Sequence, residues 1–345
     1  MREFLRLSKE DLQLTIEQAA ARKGWLASSV EKDFWVCWTL GQLFTMTELA
    51  GNLTFKGGTS LSKAWGLIDR FSEDIDLTIG RDALGFGGEK SPEREPSAKK
   101  QAKRLKALRL ACGEFVRSVV LPKLYERTLA ELGFDGWTLT LDTDDPDGQT
   151  LLLQYPTHFG AAQARYVRPV VKIEFGARSD PWPAEARAVQ PVIAEIFPQI
   201  FTEPKTIVHT LAPERTFWEK AMLLHEETLR PANKPRRPRM ARHYYDLYRL
   251  IESGVAERAS QNMALFDQVL AHRQVFFSQN WVDYKTLRQG ALRLLPAPEN
   301  ETGWKQDYDA MQLEMFSATP PLFGDVFATV RKFEEMFNSG RFLSR

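Results

Sequence analysis

Asp74 and Asp76 stand two positions apart in the run Asp74-Ile75-Asp76-Leu77, a short way after the turn Gly57-Gly58-Thr59-Ser60. On a strand, side chains two apart share a face. This spacing therefore sets both carboxylates on one side, roughly 7 Å apart at the backbone, and Ile75 and Leu77 on the other. Like charges so placed oppose each other's ionisation unless a cation neutralises them. Mg²⁺ or Mn²⁺ suits the task, since both take carboxylate and phosphate oxygens. A two-metal site, with ions about 3.5–4 Å apart, activates an attacking hydroxyl and stabilises a leaving pyrophosphate. The plainer reading is a solvated acidic strand end paired with Arg70.

The glycine turn supplies the complementary chemistry. Gly57 and Gly58 let backbone N–H groups approach phosphate without a Cβ in the way, and the start of the following helix favours anions. Ser60 adds a hydroxyl, so Gly57, Gly58, Thr59 and Ser60 together form a candidate cradle for an NTP. A plain tight turn with Thr59 or Ser60 as helix cap is the alternative. The spacing to a Gly-Lys-Ser/Thr of a Walker loop is absent. Lys63, one turn into the helix, either reaches phosphate or is an exposed lysine.

Further candidates lie downstream. Glu174, in Val170-Val-Lys-Ile-Glu-Phe175, either completes a metal-binding set or pairs with Lys172 on its own strand face. Lys220 sits at the edge of the stripe Phe217, Ala221, Leu224, where a lysine stem packs and its head reaches out to phosphate or to water. Asp246 is within a helical turn of Arg242 and Arg249, so spacing alone reads it as part of a surface ion-pair cluster. Two basic runs offer local surfaces for nucleic acid: Lys99 and Lys103 in 99–109, and Lys234, Arg236, Arg237, Arg239 and Arg242 further on. Solvated charge is the alternative for both.

These residues need a scaffold. Two helices are predicted over 8–46, a short strand at Thr54-Phe55, a helix over 59–67 and a strand over 75–79. Residues 80–97 read as a loop with a composition favouring disorder, followed by a long helix over 98–132. Strand-like runs follow at 137–141, 151–155 and 167–175, the first two joined by Asp144-Asp-Pro-Asp-Gly148 as a hairpin. From about 180 the pattern is mainly helical, with one strand at 206–210 and a Pro-rich basic linker at 230–239.

Bulk properties narrow the class. The chain has 345 residues, 43% hydrophobic and 26% charged, with a net charge of +1, so no global field draws it to nucleic acid. Its two cysteines, Cys37 and Cys112, have no metal or redox spacing. The N-terminus is too charged for a signal peptide. No apolar run approaches the roughly 18–20 residues of a membrane helix. A cytoplasmic protein without membrane contact is expected.

The block Phe55-Lys-Gly-Gly-Thr-Ser-Leu-Ser-Lys63 with Arg70-Phe-Ser-Glu-Asp-Ile-Asp-Leu77 resembles the AbiEii/AbiGii toxin family of nucleotidyltransferases, to which the mycobacterial MenT toxins are related. Val30-Glu-Lys-Asp-Phe-Trp35, Glu219-Lys220 and Arg242-His-Tyr-Tyr-Asp-Leu-Tyr248 extend the resemblance over about 28–252. It implies an α+β fold: a DNA polymerase β-type nucleotidyltransferase core, a small mixed sheet with flanking helices, joined to a helical C-terminal domain. Boundaries follow at 1–48 for N-terminal helices, 49–180 for the core and 181–345 for the helical domain.

The resemblance further implies phosphate binding by Gly58 and Ser60, Mg²⁺ at Asp74 and Asp76, triphosphate contact by Lys220, and a site role for Asp246. Many relatives carry an acid where this chain has His243. The implied activity is transfer of an NMP from an NTP to a hydroxyl, with the 3′ end of tRNA as acceptor. The implied setting is a toxin–antitoxin or abortive-infection system for phage defence, with a winged-helix antitoxin as partner. A protein acceptor, and an NTP-binding module that has lost catalysis, are the competing readings.

Overall fold

The structure is a computed structural model that describes residues 1–159, 167–316 and 319–342. The chain divides into two compact units. One comprises Met1–Trp65 and Phe71–Leu211, the other Gly66–Arg70 and Ala212–Arg345. The division falls after Leu211, and the first unit takes in the N-terminal helices.

The first unit is built on a seven-stranded mixed sheet. Its strands are β1 (Leu53–Lys56), β2 (Ile75–Ile79), β3 (Thr138–Leu141), β4 (Thr150–Gln154), β5 (Val170–Gly176), β6 (Ala184–Val189) and β7 (Thr206–Leu211), in the order β3-β4-β5-β2-β1-β7-β6. β2 lies antiparallel to β1 and parallel to β5, with Asp76 opposite Lys56 on one side and Glu174 on the other. Alternation then sorts the side chains. Phe55, Ile75, Leu77, Ile173 and Phe175 are buried, whereas Lys56, Asp76, Lys172 and Glu174 are only partly covered.

Helices α1 (Arg2–Leu5), α2 (Lys9–Lys23) and α3 (Ala27–Phe44) precede the sheet. α3 is buried around its whole circumference from Ser28 to Leu40, and its Trp35 ring stacks on Tyr155 at 5.4 Å between centroids. α4 (Gly57–Lys63) follows β1 without a break. α5 (Ala98–Phe115) and α6 (Leu121–Leu132) form the expected long helix, joined by a wider i→i+5 turn at Val116–Val120. Pro122 explains that turn, because it has no N–H for the regular ladder.

Two expectations need correction. Residues 80–97 form three short 3₁₀ turns, tied down by Gly80 N–H to the Asn52 carbonyl at 2.8 Å and by Arg104 to Glu95 at 2.7 Å. β6 lies in a stretch read as helical. Its Ala-Glu-Ala-Arg-Ala-Val sequence favours helix locally, but pairing with β7 overrides that preference. α7 (Val192–Ile196) lies between β6 and β7.

The second unit is helical, as expected: α8 (Pro213–Thr228), α9 (Arg242–Glu252), α10 (Val255–Gln261), α11 (Met263–Phe276), α12 (Pro298–Met315) and α13 (Phe323–Asn338). Aromatic packing dominates its core. Trp218 meets Phe217, Phe266 and Phe337, and Tyr244 meets Trp304 and Phe327, all at centroid separations of 4.7–5.1 Å. Among the described residues, no helix is long and apolar enough to cross a membrane.

Candidate active site

The glycine turn begins where β1 ends. Gly57 has φ of +80°, the left-handed region that glycine adopts without penalty. A Cβ at Gly57 would lie 2.1 Å from Oδ2 of Asp76. The missing side chain therefore leaves the space in which the Asp76 carboxylate sits. Thr59 fixes the other aspartate: its hydroxyl donates to the Asp74 carbonyl at 2.5 Å and lies 2.9 Å from the Ser72 hydroxyl. The Ser60 hydroxyl donates to the Gly57 carbonyl at 2.9 Å, so it is engaged inside its own turn. Turn and acidic strand are thereby one local assembly.

Electrostatics in this assembly are unbalanced. The Asp74 pKa is pushed up to about 6 by burial first, then by Glu174, Glu73 and Asp76, with Lys32 opposing. Lys172 pairs with Glu174 at 2.8 Å, which is the alternative considered for Glu174 from its strand face. Arg70 does not pair with Asp74 or Asp76; its guanidinium is bound to Asp246. Among the described residues, no group of three or more His, Cys, Asp or Glu side chains is gathered tightly enough to hold a metal ion. A divalent cation nevertheless fits Asp74 and Asp76. Burial and the neighbouring acids raise the Asp74 pKa, which a bound cation would lower, and both aspartates are oxygen donors beside the turn.

Lys63 is neither exposed nor extended from the turn. It is buried in an ion pair with Asp33 at 2.6 Å. Burial alone would lower its pKa, but the neighbouring Asp33 carboxylate outweighs that and leaves it raised.

A second polar cluster lies within the second unit. Asp246 is fully buried and receives Nε and Nη2 of Arg70 at 2.7 and 2.9 Å, a bidentate geometry. Lys220 Nζ lies 2.8 Å from Asp246 Oδ2 and 3.5 Å from His243 Nδ1. Burial would raise the Asp246 pKa, yet Arg70 and Lys220 hold it well below the ordinary carboxylate range. Burial lowers the Lys220 pKa; Asp246 opposes the fall and Arg70 adds to it. Burial and Lys220 push His243 well below its usual value, so its imidazole is neutral. Spacing had paired Asp246 with Arg242 and Arg249 as a surface cluster. In the structure Arg249 binds Asp69 at 2.8 Å instead. The Arg70–Asp246 link spans 176 residues and leaves no local signal.

The basic candidates divide. Lys99 and Lys103 are exposed on α5, as are Arg237 and Arg239 in the linker. Arg236 is stacked over Trp304 at 4.1 Å, and Lys234 lies 4.2 Å over Trp281. Asp307 receives the Arg239 and Ala241 N–H groups, both at 2.7 Å, just before α9 and its half-buried Arg242. Both cysteines are buried free thiols.

Comparison with known families gives a match over residues 39–339 to the family described as nucleotidyl transferase AbiEii toxin, type IV TA system. Among solved structures, the nucleotidyltransferase toxin MenT4 from Mycobacterium tuberculosis H37Rv is similar at 19% sequence identity and a TM-score of 0.47, covering 96% of this chain and 89% of that one. No curated protein matches.

Two substitutions test the assembly. A carboxyl whose folded pKa is raised loses stabilisation as pH climbs through about 6. Asp74→Asn should therefore match wild type near pH 4 and exceed it by about 1–3 kcal/mol at pH 8 without added metal. Urea unfolding across pH checks this, and an offset independent of pH would contradict it. Gly57→Ala should displace the Asp76 carboxylate, at a backbone cost of about 1–2 kcal/mol. Its effect on Mg²⁺-NTP binding, measured by calorimetry, should be far larger than its effect on stability.

Proposed function

The chain belongs to the AbiEii family of nucleotidyltransferase toxins of type IV toxin–antitoxin systems, and from that premise we propose that it moves an NMP from an NTP to the 3′ end of tRNA in the cytoplasm. The observation that carries this reading is the Asp76 carboxylate seated against Gly57, with Asp74 crowded by acids beside it.

Asp74 and Asp76 would hold Mg²⁺ or Mn²⁺. When bound, such an ion supplies charge neutralisation at the phosphates and a more acidic attacking hydroxyl. The backbone N–H groups around Gly57 and Gly58 approach the phosphates; Thr59 and Ser60 act by shaping the turn, since their hydroxyls are already engaged. Lys63, engaged by Asp33, is assigned no phosphate contact in this reading. Lys220 neutralises triphosphate charge as a compact point charge. Asp246 orients Lys220, and Arg70 holds Asp246. Glu174 serves with Lys172 as a polar neighbour of the acids rather than as a committed metal ligand.

Lys99, Lys103, Arg237 and Arg239 are the residues proposed to meet tRNA phosphates, with Arg242 contributing less and Arg236 held on Trp304. The partner expected to neutralise the toxin is an antitoxin of winged-helix type.

Purified protein incubated with Mg²⁺, each labelled NTP and total tRNA should label the tRNA 3′ end. Asp74→Ala and Lys220→Ala should each reduce the rate by at least about 100-fold. Label on protein instead of RNA would replace the tRNA acceptor with a protein side chain. Metal-dependent NTP binding without any transfer would mark an interaction module, and either outcome overturns the proposal.

A further inference from the structure

Glu31, Lys32 and Asp33 are three consecutive charged residues on α3, and all are at least 95% buried. A buried charge left alone costs several kcal/mol, and each of these has a partner on a different segment. Glu31 receives the Thr157 hydroxyl at 2.7 Å and the His158 N–H at 2.9 Å. Lys32 Nζ binds Glu73 Oε2 at 2.7 Å. Asp33 binds Lys63 Nζ at 2.6 Å through one oxygen and the Val192 N–H at 2.7 Å through the other.

Two of these partners belong to the candidate site. Lys63 is the last residue of α4, whose first residue is Gly57. Glu73 directly precedes Asp74. The Thr59 hydroxyl bound to the Asp74 carbonyl joins the same two segments directly. The links close a ring: α3 through Asp33 and Lys63 to α4, through Thr59 to Asp74, and through Glu73 and Lys32 back to α3. Buried ion pairs add little net stability over apolar packing. What they add here is a fixed distance, because each segment is tied at one point to the same rigid helix.

We propose that Lys32 and Asp33 are positioning residues, clasping the glycine-turn helix and the aspartate strand to one post so that phosphate and metal ligands keep their separation. Their role in catalysis rests on the nucleotidyl-transfer reading above; the clasp itself does not. Both act through other residues, Lys32 through Glu73 and Asp33 through Lys63. Misplacement of reacting groups by about 1 Å costs on the order of 100-fold in rate, so a small loss of register has a large effect.

The test uses Lys32→Met, Glu73→Gln, Lys63→Met, the pair Asp33→Asn with Lys63→Met, and Lys32→Arg, all in the full-length chain. The Glu73 side chain is 37% exposed, so Glu73→Gln leaves no buried charge without water and keeps the test open if Lys32→Met does not fold. Amide hydrogen exchange is read on the metal-free protein, and transfer kinetics on the complete reaction. Lys32→Met and Glu73→Gln should speed exchange over 71–79 by about tenfold or more while α8–α13 stay unchanged. Both should lower kcat about tenfold or more with KM for NTP nearly constant, and Lys32→Arg should recover most of the rate. Lys63→Met should speed exchange over 57–64, and adding Asp33→Asn should change little, because the pair acts as one unit.

Uniform acceleration across the first unit, or wild-type exchange and kcat in both Lys32→Met and Glu73→Gln, would overturn the clasp. So would a raised KM in Lys63→Met with unchanged exchange, which would make Lys63 a phosphate ligand. If wild type transfers nothing, the functional reading fails, and the exchange data still decide whether the clasp exists.

Discussion

Electrostatic repulsion among carboxylates around Asp74 is the constraint on which the site depends. The protein half-buries Asp74 beside Asp76, Glu73 and Glu174, with Lys32 and Lys172 as opposing charges. A fold selected for stability alone would not gather acids in this way, since their charge opposes burial. The sheet makes the arrangement possible. β2 places Asp76 between Lys56 of β1 and Glu174 of β5, while Ile75 and Leu77 on the reverse face anchor the strand in the core. Glycine at 57 then lets the turn and the Asp76 carboxylate share one small volume.

The second unit handles charge differently. Asp246 is ionised and fully buried because two cations surround it, Arg70 through both oxygens and Lys220 through one. Removing either cation would leave a buried charge undercompensated, which is costly. His243, its pKa held down by burial and Lys220, sits 3.5 Å from the Lys220 amine at the edge of this cluster. The segment Gly66–Arg70 contributes Arg70 to this unit although the chain on both sides of it builds the first.

Much of the local architecture was legible in the sequence because its signals are short-range. The alternation around Asp74-Ile-Asp-Leu77 gives the strand and its two faces, and the short run at 206–210 gives β7. The strand itself begins at Ile75, one residue after Asp74. Long-range pairing was not legible. Nothing near Lys63 announces Asp33, and nothing near Asp246 announces Arg70, so both lysine and aspartate were read by their sequence neighbours. β6 and the turns of 80–97 failed for the same reason, since partners elsewhere in the fold decide their conformation. Three charges inside the otherwise uncharged α3 are a usable signal for buried ion pairing, but their partners are not readable from it.

Burial and the neighbouring Glu174, Glu73 and Asp76 oppose ionisation of Asp74, and the proposed divalent cation would relieve that opposition. Titration of Mn²⁺ into the protein at pH 7.5 with a non-hydrolysable NTP, followed by electron paramagnetic resonance, measures this directly. Wild type should bind Mn²⁺, and Asp74→Asn and Asp76→Asn should each weaken binding about tenfold or more. Equal binding by wild type and both variants, or no binding by wild type, would contradict the account.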